Sequence, residues 1–229
     1  MGSFGFGVEG MKFFKTPCSV LIAGPSNCGK TVFVSKLLHD ATHYFRGLKP
    51  NVHYCYGAMQ DKFQEMAKTS KPKIHFHEGV PTVEDLDEWF RPTGGGLLVM
   101  DDLMDECGND KTVMDIFTKH SHHRNVSVIY ITQDLFPTGK FAKTISRNVH
   151  YIVAFKNPRD TVGVRTVVLQ AFPKNWKDVM TVFQKPTSRP YGYLVMDFHA
   201  QTPDDHRLWT HILKEKGTYP RLYKPKQPS

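Results

Sequence analysis

The chain has 229 residues, 40% of them hydrophobic, which suits one α/β domain with a full core, or one such domain with a small addition. Its 30 basic and 22 acidic residues give a net charge of +8 and a pI near 9.2, a balance that makes nucleic acid a plausible partner. Four scattered cysteines (Cys18, Cys28, Cys55, Cys107) exclude a disulfide framework and point to a reducing compartment. No apolar run reaches eighteen residues and no secretory pattern is present, so an intracellular, non-secreted protein without a membrane segment is expected. Phe6 stands where N-myristoylation needs Ser or Thr, which removes that reading of Met1-Gly2.

Residues 1–17 carry Phe4, Phe6, Phe13 and Phe14 among glycines and read as an N-terminal arm that docks through its aromatics. Residues 18–205 read as the folded domain. It opens with Cys18-Ser19-Val20-Leu21-Ile22-Ala23, a buried strand. Then comes Gly24-Pro25-Ser26-Asn27-Cys28-Gly29-Lys30-Thr31, which fits the phosphate-binding pattern G-x-x-x-x-G-K-[ST] without a mismatch. Val34, Leu37 and Leu38 follow at helical spacing, completing the strand–loop–helix context that the motif requires. Gly24 and Gly29 let the backbone curl and present N–H groups to an anion, and the new helix adds its positive end. Lys30 would reach the β- and γ-phosphates of ATP, and the Thr31 hydroxyl would ligate Mg²⁺.

Val52–Tyr56 reads as a second strand and residues 74–77 as a short third one. Thr82 caps a helix and Asp85 completes a capping box. Pro92, Thr93, Gly94, Gly95 and Gly96 break the chain. Leu97-Leu98-Val99-Met100 then forms a buried strand that ends in Asp101 and Asp102. Asn109 or Asp110 caps a helix carrying Val113, Ile116, Phe117 and His120 on one face. Residues 126–132 form a strand ending in Gln133, residues 149–155 form another, a helix spans the region around 176–183, and a last strand covers 191–196. Alternating strands and helices predict a mostly parallel sheet with helices on both faces. Residues 206–229 read as a basic C-terminal tail, solvated or bound to DNA phosphate.

Ligands of open parallel sheets gather at the carboxyl ends of the strands, where Asp101, Asp102 and Gln133 fall. Asp101 is the expected Mg²⁺ partner. Successive strand residues point opposite ways, but the turn at the strand end frees Asp102 to face a water near the γ-phosphate and act as base, or to cap the next segment. Gln133 would hold that water or sense the γ-phosphate. Arg124 and Arg147 precede strands and belong at the opposite sheet edge, where they could serve a neighbouring subunit's nucleotide or be plain surface charges. The histidines (His39 and His43, His75 and His77, His120, His122 and His123) lack a cysteine or carboxylate set at zinc spacing and read as core or surface residues.

The blocks "GPSNCGKT", "LLVMDDLM", "HSHHRNVSVIYITQDLF", "SRNVHYIVAFKNPRD" and "SRPYGYLVMDF", in that order over residues 15–205, resemble the genome-packaging ATPases of the FtsK–HerA superfamily. The nearest forms are the poxvirus-type ATPases of Polinton/Maverick elements and adintovirus-like relatives. The resemblance implies a P-loop, RecA-like (ASCE) core, a homo-oligomeric ring, and ATP-driven movement of double-stranded DNA into a capsid. It implies a capsid or portal-vertex protein as partner, and action in the host nucleus, at a virus assembly site or in the virion. It implies Lys30 and Thr31 on nucleotide and Mg²⁺, Asp101 on Mg²⁺, Asp102 as base and Gln133 as sensor. It raises Arg124 and Arg147 as trans-acting arginines without choosing; of the two, Arg124 is the expected one, because it lies in the "HHRN" block beside His123. One departure stands out: many members of the superfamily carry Glu where this chain has Asp102. The competing readings are a nucleotide-gated switch, a DNA-binding capsid-assembly subunit without motor activity, and a small-molecule kinase. Lys156-Asn157-Pro158-Arg159-Asp160 has the wrong order for the guanine-reading [NT]-K-x-D loop, and no arginine-rich lid is evident.

Overall fold

Side-chain alternation along the strand before the phosphate loop sets the architecture. Val20 and Ile22 of that strand point into one hydrophobic cluster, and Leu21 and Ala23 into another. A strand buried on both faces needs a layer of helices on each. The computed structural model describes residues 3–5, 12–103, 111–117, 123–136, 144 and 147–224. In chain order the elements are β1 (Ser3–Gly5), β2 (Phe14–Lys15), β3 (Ser19–Ala23), α1 (Lys30–His39), α2 (Ala41–Tyr44), β4 (Phe45–Arg46), β5 (Val52–Tyr56), α3 (Lys62–Thr69) and β6 (Ile74–Glu78). There follow α4 (Val83–Phe90), β7 (Gly96–Asp101), α5 (Lys111–Asp115), β8 (Val126–Thr132), β9 (Tyr151–Phe155), α6 (Thr161–Ala171), α7 (Trp176–Thr187), β10 (Tyr193–Asp197), β11 (Leu208–Thr210) and β12 (Arg221–Tyr223).

The large sheet runs in the order β1-β12-β11-β10-β9-β3-β8-β7-β5-β6. Every pairing from β9 to β6 is parallel, and every pairing from β9 out to β1 is antiparallel. The parallel part is the RecA-like arrangement, with β8 inserted between the phosphate-loop strand β3 and the Asp101 strand β7. One face is covered by α1, α2 and α3 through Phe33, Val34, Leu37, Leu38, Tyr44 and Phe63. The other is covered by α4, α5, α6 and α7 through Leu86, Phe90, Val113, Val164, Val168, Val179 and Val182. The α/β fold with a mostly parallel sheet and helices on both faces is the expected one.

The capping box at α4 is present: the Thr82 hydroxyl accepts from the Asp85 N–H at 3.1 Å and the Asp85 carboxylate accepts from the Thr82 N–H at 2.8 Å. Val113, Ile116 and Phe117 share a buried face, while the proposed caps Asn109 and Asp110, and His120, lie outside the described residues. The strand expected over 149–155 begins at Tyr151, and the one expected over 191–196 is β10. Helix α6 forms although Val162, Val164, Thr166, Val167 and Val168 favour a strand locally. Asp160 overrides that by capping the helix, its carboxylate accepting from the Gly163 N–H at 2.8 Å. The stretch read as a basic tail enters the sheet through β11 and β12, with Leu208, Thr210 and Leu222 buried. Composition hid this, because the charges that flank the strands are exposed while the three-residue strands themselves are too short to show alternation. Lys224 pairs with Asp205 at 3.0 Å.

At the N-terminus, Phe14 docks as the aromatic pattern suggests. It is fully buried, stacked on Phe45 at 4.7 Å and edge-on to Tyr151 at 5.0 Å, while β2 pairs with β4. Phe14→Ala should therefore destabilise the domain by about 3–5 kcal/mol, the usual cost of an emptied aromatic site. Urea unfolding would read this as a lowered midpoint at unchanged slope; an unshifted midpoint would show that the arm is only laid on the surface.

Candidate functional site

The register of three strands brings the site together. Ala23 at the end of β3 pairs with Thr132 of β8 on one side and Ala154 of β9 on the other, and Asp101 of β7 pairs with Ile131. The carboxyl ends of β3, β7 and β8 thus open at one level, around a cleft of about 540 Å³. Its walls include Ser26, Asn27, Gly29, Lys30, Thr31, Asp101, Asp102 and Gln133. Lys30, Thr31, Asp101, Asp102 and Gln133, which lie up to about a hundred positions apart in the chain, are together. Arg124 and Arg147 are not with them. They precede β8 and β9, on the order of 20 Å away along the strands.

The phosphate loop is anchored at its start by the Gly24 N–H, which donates to the Thr132 carbonyl at 3.3 Å. It closes through the Cys28 N–H on the Pro25 carbonyl at 3.3 Å and enters α1 at Gly29. Gly29 has φ 106°, a left-handed conformation in which a side chain is strained, and a methyl group there would sit 2.9 Å from Tyr191 Cδ1. The Lys30 ammonium donates to the Gly24 carbonyl and, at 3.0 Å, to the Pro25 carbonyl. It rests on the loop it spans, at the wall of the cleft. Burial pushes the Cys28 thiol up against the pull of the Lys30 ammonium, so it stays protonated.

Asp101 is buried at the end of β7. Burial raises its pKa, a hydrogen bond from Tyr54 lowers it, the Asp102 carboxylate raises it and Lys30 lowers it, with a net upward shift. Tyr54 on neighbouring β5 donates its hydroxyl to Asp101 Oδ2 at 2.6 Å. Burial and the Asp101 charge hold the tyrosine pKa far above its ordinary value, so it remains a donor. One carboxylate oxygen is thereby fixed and the other is left for the cleft. A partly desolvated carboxylate and the Thr31 hydroxyl, on the walls of one cleft, make an all-oxygen donor set that fits a hard divalent cation such as Mg²⁺. Asp102 is exposed and has φ 54°. Gln60 and Lys62, from the segment after β5, close the opposite wall, and Lys62 makes no ion pair among the described residues. Tyr54, Gln60 and Lys62 escape the sequence reading because no local motif marks them, and Tyr191 lies within the "SRPYGYLVMDF" block without a role assigned to it. The β5–β7 pairing and the sheet order place them.

At the far edge, Arg124 Nε donates to Asp87 Oδ1 of α4 at 2.9 Å, and its side chain is only 17% exposed. Arg147 is exposed and makes no ion pair among the described residues. His75 and His77 belong to an aromatic stack with His53 and Trp89. His53 and His77 share a hydrogen bond of 2.9 Å, and burial pushes the His53 pKa down to about 4.

No protein-family profile matches the sequence, and no curated protein matches it. Solved structures do. B204, the DNA-packaging ATPase from Sulfolobus Turreted Icosahedral Virus, superposes with a TM-score of 0.59 at 13% identity, over 90% of this chain and 100% of that one. The genome packaging NTPase B204 from Sulfolobus turreted icosahedral virus 2 matches in its complex with ATP-gammaS (TM-score 0.56, 11% identity, 87% of this chain and 98% of that one). Its AMPPCP complex matches equally well (0.56, 12%, 86% and 98%). At these identities the likeness establishes the fold alone, an α/β P-loop NTPase fold.

The Tyr54–Asp101 bond generates a test of the site's electrostatics. The bond lowers the Asp101 pKa, so Tyr54→Phe should move the Asp101 titration to higher pH than in the wild-type chain. Carboxyl ¹³C NMR would follow it; an unmoved midpoint would mean that the hydroxyl does not bear on the carboxylate charge.

Proposed function

We propose that this chain is an ATP-hydrolysing motor that moves double-stranded DNA into a viral or virus-like capsid. The observation that carries the reading is the convergence of Lys30, Thr31, Asp101, Asp102 and Gln133 on one cleft at the carboxyl ends of β3, β7 and β8. The fold shared with B204, whose structures include complexes with ATP-gammaS and AMPPCP, supports nucleotide as the ligand. The loop N–H groups and the start of α1 would bind the β- and γ-phosphates. Lys30 would leave the Gly24 and Pro25 carbonyls for a phosphate oxygen. Thr31 and Asp101 would hold Mg²⁺, which when bound supplies charge neutralisation of the phosphates. Asp102 would accept the proton of the attacking water, and Gln133 would orient that water. The basic balance of the chain favours duplex DNA bound through its phosphates, without sequence preference. The order of the sequence blocks favours kinship with the packaging ATPases of Polinton-type elements, and with it a capsid or portal-vertex partner and action at the host nucleus or assembly site.

In this reading, Lys30→Ala abolishes ATP turnover and leaves the fold intact, because it removes a phosphate partner and no core volume. Asp102→Asn keeps Mg-ATP binding and loses turnover by at least about a hundredfold, the usual scale of a general-base loss. Steady-state ATPase rates with and without duplex DNA, beside calorimetric ATP binding, check both. Wild-type turnover in Lys30→Ala would sink the proposal.

Rings of identical subunits can complete a site with a neighbour's arginine, worth roughly 10³–10⁵ in rate. Arg147 is free to reach a neighbour as it stands, whereas Arg124 would first have to leave Asp87. Arg147 therefore replaces Arg124, the residue that the sequence favours, as the proposed trans-acting arginine. Mixing Arg147→Ala subunits with Lys30→Ala subunits should restore part of the activity that each lacks alone, since some interfaces then pair an intact loop with an intact arginine. Recovery with Arg124→Ala in place of Arg147→Ala would reverse the choice, and no recovery from proven mixed rings would put both arginines outside catalysis.

A further inference from the structure

The segment Ser188-Arg189-Pro190-Tyr191-Gly192 connects α7 to β10 and takes no part in the phosphate chemistry above. Its Gly192 N–H donates to the Arg189 carbonyl at 3.1 Å, which closes a tight turn with Pro190 and Tyr191 at its centre. Tyr191 has φ 60°, at the turn position where a left-handed residue is needed and glycine or asparagine is usual. A bulky aromatic side chain there is a genuine outlier. The turn is also pinned to the core, because a side chain on Gly192 would run into the Pro186 carbonyl of α7. Such strain persists only where the surroundings impose it, and it gathers at ligand sites.

What the strain achieves is visible in the geometry. Tyr191 is 69% exposed, yet its ring forms a wall of the nucleotide cleft and lies against Gly29. Val32, on the first turn of α1, is the other exposed apolar side chain on the wall, 42% exposed. The remaining walls are mostly polar or charged: Ser26, Asn27, Gln60, Lys62, Asp102 and Gln133. The cleft therefore has a charged end for phosphates and an apolar corner beside α1. β10 runs antiparallel to β9, with Tyr193 opposite Phe155, so the loop before β10 arrives at the carboxyl end of the sheet, next to the phosphate loop.

We infer that Tyr191 is the platform on which the nucleobase of the bound nucleotide stacks, with Val32 completing the apolar corner. This rests on the nucleotide reading of the cleft and adds to it the group that recognises the base. An aromatic face stacks on any base, so the platform supplies affinity for a nucleoside triphosphate over a bare polyphosphate rather than a choice among bases.

The test compares two ligands, Mg-ATP and magnesium tripolyphosphate, by calorimetry on the full chain. Tyr191→Gly keeps the turn in its preferred residue type and removes only the ring. It should weaken ATP by about tenfold or more, the scale of one lost base stack, and leave tripolyphosphate unchanged. Tyr191→Trp should retain ATP affinity, and its indole fluorescence should be quenched by ATP but not by tripolyphosphate. Unchanged ATP affinity in Tyr191→Gly, or equal weakening of both ligands, would overturn the platform while leaving the nucleotide site in place. Failure of the wild-type chain to bind either ligand would overturn the nucleotide reading itself and the platform with it.

Discussion

Everything at the cleft depends on β3 being locked in parallel register between β8 and β9. Its residues are paired on both sides and buried on both faces, so neither a slip nor a tilt is open to it. A slip of one residue would turn Val20 and Ile22 into the cluster that Leu21 and Ala23 now fill, and the reverse. The hydrogen bond from Gly24 to Thr132 then carries this register into the phosphate loop. The loop is tight because its two ends are fixed, one by the sheet and the other by α1 packing through Phe33, Val34, Leu37 and Leu38.

This explains which parts of the site are legible in the sequence. The phosphate loop, the carboxylates after β7 and the glutamine after β8 announce themselves because each sits within a few residues of a strong apolar run. Strand ends can be read locally, and in a parallel sheet strand ends converge. Tyr54 cannot be read that way. It lies inside a strand, and only the β5–β7 pairing brings its hydroxyl to Asp101. Lys62 and Gln60 are equally silent, being ordinary polar residues at the start of a short helix and just before it. The strands β11 and β12 are invisible because three residues carry no period.

Tyr191 is hidden for a further reason. The rule that residues before a strand lie at the far edge holds for parallel strands, and it places Arg124 and Arg147 correctly in the sheet. β10 reverses direction, and with it the rule. The residues before β10 come to the cleft, and its last residue, Asp197, with its Thr202 partner at 2.8 Å, lies at the opposite edge. A single antiparallel pairing at β9 thus brings one more loop to the nucleotide side than a purely parallel sheet of the same length would bring.

The shorter carboxylate after Asp101 has a backbone explanation. Neighbouring residues on a strand point to opposite faces, yet Asp101 and Asp102 both line the cleft. The chain achieves this by leaving β7 through a left-handed residue: Asp102 has φ 54°, and a side chain on Gly57 would collide with its carbonyl. Aspartate tolerates that conformation better than most side chains because its short polar group can hydrogen-bond locally. Glutamate, common here in the superfamily that the sequence resembles, reaches further but has no such ease. The residue and the turn therefore belong together: the left-handed step turns Asp102 into the cleft, and this offsets the methylene that it lacks. Asn27 and Tyr191 share the positive φ and the same cleft, so three of the five non-glycine residues with positive φ among the described ones line it, Asn125 and His211 being elsewhere.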